Sequence, residues 1–273
     1  MGLPLKPLAA FALLREFQAI SRESATLAVA GPGELASALR RELARGGAAA
    51  AVVPGWQGAT GLVWVQAGPL SEADRAELRA ANADKVPIVA VVVGSVAVAA
   101  DQRLPYVLAT DHVPVGPGEA FPVGEIAIAL GRRLGERSSG LAARLPALRE
   151  GICASLVKNA AKRSAMVGSA IPVPGADLPV LALTQVRLVL RIAHAYGEPV
   201  DTKRLPELLG VVVGGIGLRG IARQFAGSLG PGWLVKGAVA YGGTRAIGEA
   251  AIRYFERRAP VESTPTPSPS AAD

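Results

Sequence analysis

One cysteine, two histidines and an aromatic content of 4% leave this 273-residue sequence short of the side chains that most often carry chemistry. Cys153 alone cannot close an intrachain disulfide, and its solitude fits a reducing, cytoplasmic setting. Within the apolar run Ile152-Cys153-Ala154 it reads as a small buried hydrophobe. Only His112 and His194 accompany it, and no spacing among the three resembles a zinc site, so no metal and no cofactor are expected. The scarcity of aromatics also withholds the stacking platforms of single-strand binders, so nucleic acid is not the expected partner. Cores must then be built from closely packed Ala, Val, Leu and Ile. Long hydrophobic runs are missing as well. Residues 46–71 are uncharged but contain Pro54, Gly55, Gly58 and Gly61, which reads as two strands around a turn rather than a spanning helix of about 20 apolar residues. At the N-terminus, the stretch from Leu8 to Leu14 is cut off by Arg15 and Glu16, too short and too charged for a signal peptide.

What the sequence does have is glycine, proline and an uneven charge. Residues 1–140 carry 13 Lys/Arg and 13 Asp/Glu, so the whole net charge of +7 belongs to the remainder. Such an excess points to an anionic membrane surface or an acidic protein partner, with a solvated basic face as the plainer alternative.

Residues 1–23 read as a leading amphipathic segment. After them, apolar runs alternate with helical spacing: strands at 26–30, 48–53, 62–66, 88–93 and 106–109, and helices at 34–44, 71–82 and 123–134. Ser71 followed by Asp74 predicts a helix cap. Strands apolar on both faces, separated by helices, predict an α/β domain over 24–137 with a mostly parallel sheet flanked by helices. From 141 to 258 the pattern is helical throughout, with segments at 141–167, 178–196, 202–225 and 233–258. The tail, 259–273, is rich in Pro, Ser and Thr and is expected to be disordered.

Three separated motifs mark the helical half. They are Ile171-Pro172-Val173-Pro174-Gly175-Ala176-Asp177, then Gly214-Gly215, then Tyr241-Gly242-Gly243-Thr244-Arg245-Ala246-Ile247-Gly248. Their order resembles the YcjF-like bacterial family catalogued as domain of unknown function 697, over roughly residues 150–257. Members of that family often accompany a GTPase domain, and several are associated with the inner membrane. The resemblance implies a setting and no reaction.

Against GTPase motifs, the front half matches in scaffold and fails in contacts. A phosphate loop reads G-x-x-x-x-G-K-[ST], its amides cradling phosphates that the lysine neutralises. Counted from Gly31, the second glycine falls on Ala36, the lysine on Ser37 and the hydroxyl on Ala38. The slot for the guanine-reading N-K-x-D holds Gly94-Ser95-Val96-Ala97 instead, and residues 107–110 occupy the expected place of the last base-contacting loop. The front half thus resembles a degenerate G domain.

Gly31 and Gly33 remain candidate anion binders at a helix N-terminus, although Pro32 removes one donor and a structural turn is the favoured reading. Asp177 before Leu178-Pro179 reads as a helix cap. Thr184, Arg187, Arg191 and His194 recur at helical spacing as a basic stripe, either a wet face or a contact for lipid or partner. Trp233 and Lys236 join them as candidate contacts. These features favour a non-catalytic adaptor. A ligand- or nucleotide-binding protein, or an enzyme using the Gly31-Pro32-Gly33 turn, is the alternative.

Tight GTP binding is not expected. Losing charge-assisted contacts to phosphate and base costs roughly 1.5–3 kcal/mol each, which moves affinity toward the millimolar range. Calorimetry with GTP and Mg²⁺ checks this, and a micromolar dissociation constant would refute it.

Overall fold

The computed structural model describes residues 24–94, 104–170, 178–198 and 232–258. Five strands form one parallel sheet: β1 (Leu27–Ala30), β2 (Val52–Val53), β3 (Gly61–Gln66), β4 (Ile88–Val93) and β5 (His112–Val115), in the order β2-β1-β3-β4-β5. In register, Leu27 lies against Gly61, Leu62 against Ile88 and Ala90 against His112. Three helices cover the sheet: α1 (Gly33–Leu43), α2 (Glu72–Ala83) and α3 (Val123–Leu134).

Alternation along the strands divides the core into two faces. Leu27, Val29, Val63, Val65, Val89, Val91, Val113 and Val115 point toward α1 and α3, while Ala28, Leu62, Trp64, Ile88, Ala90 and Val92 meet Leu78 and Ala81 of α2. Both faces are covered, which is why the strands read as unbroken apolar runs. The expected cap on α2 is present in full. Ser71 Oγ accepts from Asp74 N at 3.1 Å, while the Asp74 carboxylate accepts from Ser71 N at 2.9 Å.

Three expectations are corrected. Of the strand expected at 48–53 only Val52–Val53 is strand, since Ala49–Ala51 form a 3-10 turn. The fifth strand lies at His112–Val115 and not at 106–109, where Tyr106 has φ 67 and residues Ala109–Asp111 form a 3-10 turn. Pro114 disguised it, since proline suits only an edge strand, and β5 is the edge. The single helix expected over 141–167 is two, α4 (Ser138–Arg144) and α5 (Arg149–Ala170), because Leu145 leaves the helical region before Pro146. The remaining helices, α6 (Leu178–Ala195) and α7 (Gly232–Arg258), fall where helical spacing predicted them. The expected segments at 1–23, 202–225 and 259–273, with Asp177 and Gly214-Gly215, lie outside the described residues.

The helical half packs on the α1/α3 side of the sheet, and one apolar cluster runs from Leu27 and Val63 through Ile126 and Leu130 to Ile152, Val189, Ile247 and Phe255. Where α3 meets α5 the contact is made by glycine. A Cβ on Gly151 would sit 2.6 Å from Ala127 Cβ and 2.7 Å from the Gly124 carbonyl oxygen, and one on Gly131 would sit 2.6 Å from Ser155 Cβ. On the far side, α7 presses on α5 in the same way: a Cβ on Gly248 would meet Val157 Cγ2 at 2.5 Å. Thr244 Oγ1 donates to Ser164 Oγ at 2.9 Å inside that interface. The end of α6 is tied to α7 where Tyr196 Oη donates to Glu256 Oε1 at 3.1 Å.

Gly151→Leu should lower stability by about 2–3 kcal/mol, since overpacking between two helices cannot be relieved into solvent. Gly124→Leu, at an exposed position with nothing near its would-be Cβ, should stay within about 0.5 kcal/mol of the parent. Urea midpoints of the two variants measure the contrast.

Candidate functional site

Among the described residues, three places combine concavity with polar groups. The first is the carboxyl edge of the sheet between β1 and β3, where the strand order reverses and open α/β sheets usually receive ligands. A concavity of about 250 Å³ opens there, lined by Gly31, Pro32, Trp64, Gln66, Gly68 and Asp74 among others. Gly31 has φ +123, and a side chain on it would collide with the Val65 carbonyl. That close approach alone requires glycine. Helix α1 begins two residues later without a side-chain cap, and Glu34 in its first turn already supplies negative charge to the helix dipole. Gly33 meets nothing within 4 Å of its would-be Cβ, so no close approach calls for glycine there. Gln66 Nε2 donates to the Gly68 carbonyl at 2.9 Å, and Asp74 is engaged in its cap.

The loop at 107–110, expected to match the last base-contacting loop, precedes β5 and therefore sits at the opposite edge of the sheet. Misplacing the strand misplaced the loop. Gly94, at the end of β4, donates its amide to the Val115 carbonyl at 2.9 Å, and residues 95–97 lie outside the described part.

The second place is an arginine cluster at the junction of the two halves. After α3 the chain turns through Gly135, at φ 58, into a one-turn 3-10 helix carrying Glu136. Its carboxylate meets Arg163 of α5 at 2.7 Å through Oε1 and Arg191 of α6 at 3.2 Å through Oε2. Arg191 also donates to the Glu136 backbone carbonyl at 3.3 Å. Thr184, Arg187, Leu156, Ala160 and Leu188 complete a cavity of about 60 Å³. Burial works against the Glu136 charge, but the hydrogen bond from Arg163 and the fields of Arg191, Arg163 and Arg187 outweigh it and hold its pKa below the ordinary value.

The stripe expected as a surface therefore faces inward. Arg191 is 3% exposed, Arg187 and Thr184 are half-buried, and His194 Nδ1 lies 3.2 Å from Ser139 Oγ of α4. Burial first, and the Arg191 charge second, hold the His194 pKa below its ordinary value. Trp233 and Lys236 belong to the first turns of α7, and their side chains lie outside the described residues. Glu136 and Arg163 were not anticipated. The available signal was electrostatic: an arginine stripe on a helix with an apolar opposite side needs an acid, and Glu136 lies in the short connection before α4.

The third place is a groove of about 360 Å³ between α5 and α7, lined by Ala154, Val157, Lys158, Tyr241, Arg245, Glu249 and Ile252. Arg245 Nε donates to Glu249 Oε1 at 2.7 Å. Outward along α5 run Ala154, Lys158, Lys162 and Met166, all exposed, Met166 to 63%. Among the described residues no cluster of His, Cys, Asp and Glu could hold a metal ion, and no helix is long and apolar enough to cross a membrane. Cys153 is buried, and burial pushes its thiol up to about 12, so it is chemically quiet.

Residues 139–272 match the family model described as domain of unknown function DUF697. The second half carries that domain. Its first matched residue, Ser139, is the one facing His194, so the junction cluster straddles the start of the DUF697 domain with Glu136 just outside it. Of the quoted motif in this domain, Thr244 and Gly248 are interface residues of α7 against α5, and Arg245 lines the groove. No curated protein and no solved structure showed a significant match to the chain.

Acid should weaken the junction in two windows. A histidine with a depressed folded pKa takes up its proton more readily when unfolded, so the stability His194 confers is complete above about 6.5 and is lost as the pH falls through that value. Glu136 behaves alike around its own range: its folded pKa lies below the ordinary value, so its contribution is lost as the pH falls from about 4.5 through that lower folded value. Urea unfolding from about pH 8 to about pH 3 should show falling stability in both windows, and His194→Gln should flatten only the upper one. An unchanged upper window in that variant would refute the assignment.

Proposed function

We propose that this protein is a non-catalytic adaptor: its α/β half is a GTPase-type scaffold without nucleotide chemistry, and its DUF697 half docks on an anionic membrane surface. The supporting observation is the outward face of α5, where Lys158 and Lys162 stand exposed between Ala154 and Met166. Two ammonium groups at headgroup level flanked by small and flexible apolar side chains suit a lipid surface, the lysine stems lying along the apolar boundary. Arg253 and Arg257, exposed on α7, add positive charge to the helical half. The degenerate-scaffold reading draws support from Gly31, whose backbone is held against Val65, and from Glu34, which puts a carboxylate at the helix end where a phosphate would be received.

The concavity at the switch point favours a second reading, a small-ligand protein. Its described lining includes Asp74 and no cationic side chain, so the ligand would be neutral or cationic.

Flotation of the full chain with phosphatidylcholine vesicles, with and without phosphatidylglycerol, tests the adaptor reading. Binding should require the anionic lipid and weaken with salt. The double variant Lys158→Gln, Lys162→Gln should lose about 2 kcal/mol, roughly 30-fold in affinity, at about 1 kcal/mol for each near-surface lysine. Equal binding to both vesicle types, or none, overturns the membrane reading.

A further inference from the structure

The groove between α5 and α7 is elongated, apolar at one end and carries one uncompensated charge. Its α7 side is made by Tyr241, Arg245, Glu249 and Ile252, which recur at helical spacing and so form one stripe, about 16 Å long at 1.5 Å per residue. Ala154, Val157 and Lys158 supply the α5 side. At about 360 Å³ the groove falls within the range of small-molecule sites, roughly 300–1,000 Å³. A trough of this shape suits an extended chain better than a compact ring system. The two helices run antiparallel, since Gly237 meets Ser169 while Gly248 meets Val157. One turn beyond that last contact Ala154 comes level with Ile252, which makes the apolar end, and Lys158, Arg245 and Tyr241 lie toward the other. Arg245 is bonded to Glu249 at 2.7 Å and to the Tyr241 hydroxyl, so that pair is neutral. Lys158 is exposed and has no ion-pair partner among the described residues. The groove therefore offers one net positive charge beside an apolar trough, the complement of an anionic amphiphile.

We propose that this groove holds one acyl chain of an anionic phospholipid, the chain lying over Ala154, Val157 and Ile252 and the headgroup phosphate meeting the Lys158 ammonium. Ala154 and Lys158 also belong to the outward face of α5, so the proposal rests on the docking reading and names the lipid contact within it. A lysine stem can line apolar surface while its charged head reaches outward, which lets Lys158 serve the trough and the phosphate together. The relative magnitudes assign the roles. Each methylene taken out of water tightens binding about fourfold, and one near-surface lysine about fivefold. A chain of several methylenes thus carries most of the affinity, and Lys158 selects the sign of the headgroup. Alanine at 154 is what leaves the apolar end open, since any larger side chain there would occupy it.

Calorimetric titration of the full chain with dihexanoylphosphatidylglycerol, kept below the concentration at which it forms micelles, tests it. The lipid should bind, glycerol phosphate without chains should not, and the diheptanoyl homologue should bind about fourfold tighter. Lys158→Gln should weaken binding about fivefold and erase the preference over dihexanoylphosphatidylcholine. Ala154→Phe, at an exposed position, should fill the groove and weaken binding more than about tenfold, the loss of about two buried methylenes, with an unchanged urea midpoint. The smaller and more flexible Ala154→Met should act in the same direction. Ala154→Phe should also keep the salt-sensitive flotation of the parent with phosphatidylglycerol vesicles, because its lysines remain. Flotation without binding of the monomeric lipid overturns the groove and leaves the docking face standing, and binding of the monomer without flotation does the reverse. The proposal is likewise overturned if affinity for the monomeric lipid is indifferent to chain length or to Ala154→Phe.

Discussion

The close approach of α3 to α5 through Gly131 and Gly151 is the contact on which the rest of the arrangement depends. A side chain at either position would collide with the neighbouring helix, so the two axes are held at a distance that only glycine permits. Because α3 is itself seated on Val89, Val91 and Val113 of the sheet, this contact lays the DUF697 helices directly on the α/β half and makes one continuous apolar core of the two. It also sets the electrostatics. Glu136 leaves α3 two residues after Leu134 and arrives in front of Arg163 and Arg191, whose helices pack against the same region. Close packing comes first, and the ion cluster is placed by it.

The positive charge of the helical half is thereby divided into two populations. Arg187, Arg191 and His194 turn inward, where burial raises the cost of any uncompensated charge and a carboxylate is needed. Lys158, Lys162, Arg253 and Arg257 turn outward, where water pays that cost and the charge is available to a partner. Counting residues cannot separate the two. The side of each helix taken up by packing does.

The sheet edge tells a comparable story at the backbone level. The order β2-β1-β3-β4-β5 creates a switch point whose geometry would suit a ligand. There the turn after β1 is spent on fitting Gly31 beneath Val65, and α1 opens with its own acid. A scaffold and a binding loop are separable properties: the former rests on apolar alternation, the latter on a few polar residues at fixed offsets.

Much of the fold was legible because it follows from local rules. The apolar runs of β1, β3 and β4, the Ser71/Asp74 cap and the spacing of 123–134, 178–196 and 233–258 are short-range signals, and the structure has these elements where those signals lie. Two of the misreadings came from proline. Pro114 hid an edge strand, and Pro146 broke a helix whose apolar spacing continued across it. The overall charge asymmetry was likewise written in the residues alone, since it is a matter of which side chains exist. Which side of α6 is wet, where Glu136 finds its arginines and which glycines touch a neighbour were decided only by tertiary structure. Those depend on contacts between residues 27 and 55 positions apart, as in Arg163 and Arg191 against Glu136, and helical periodicity fixes a face without saying what that face will meet.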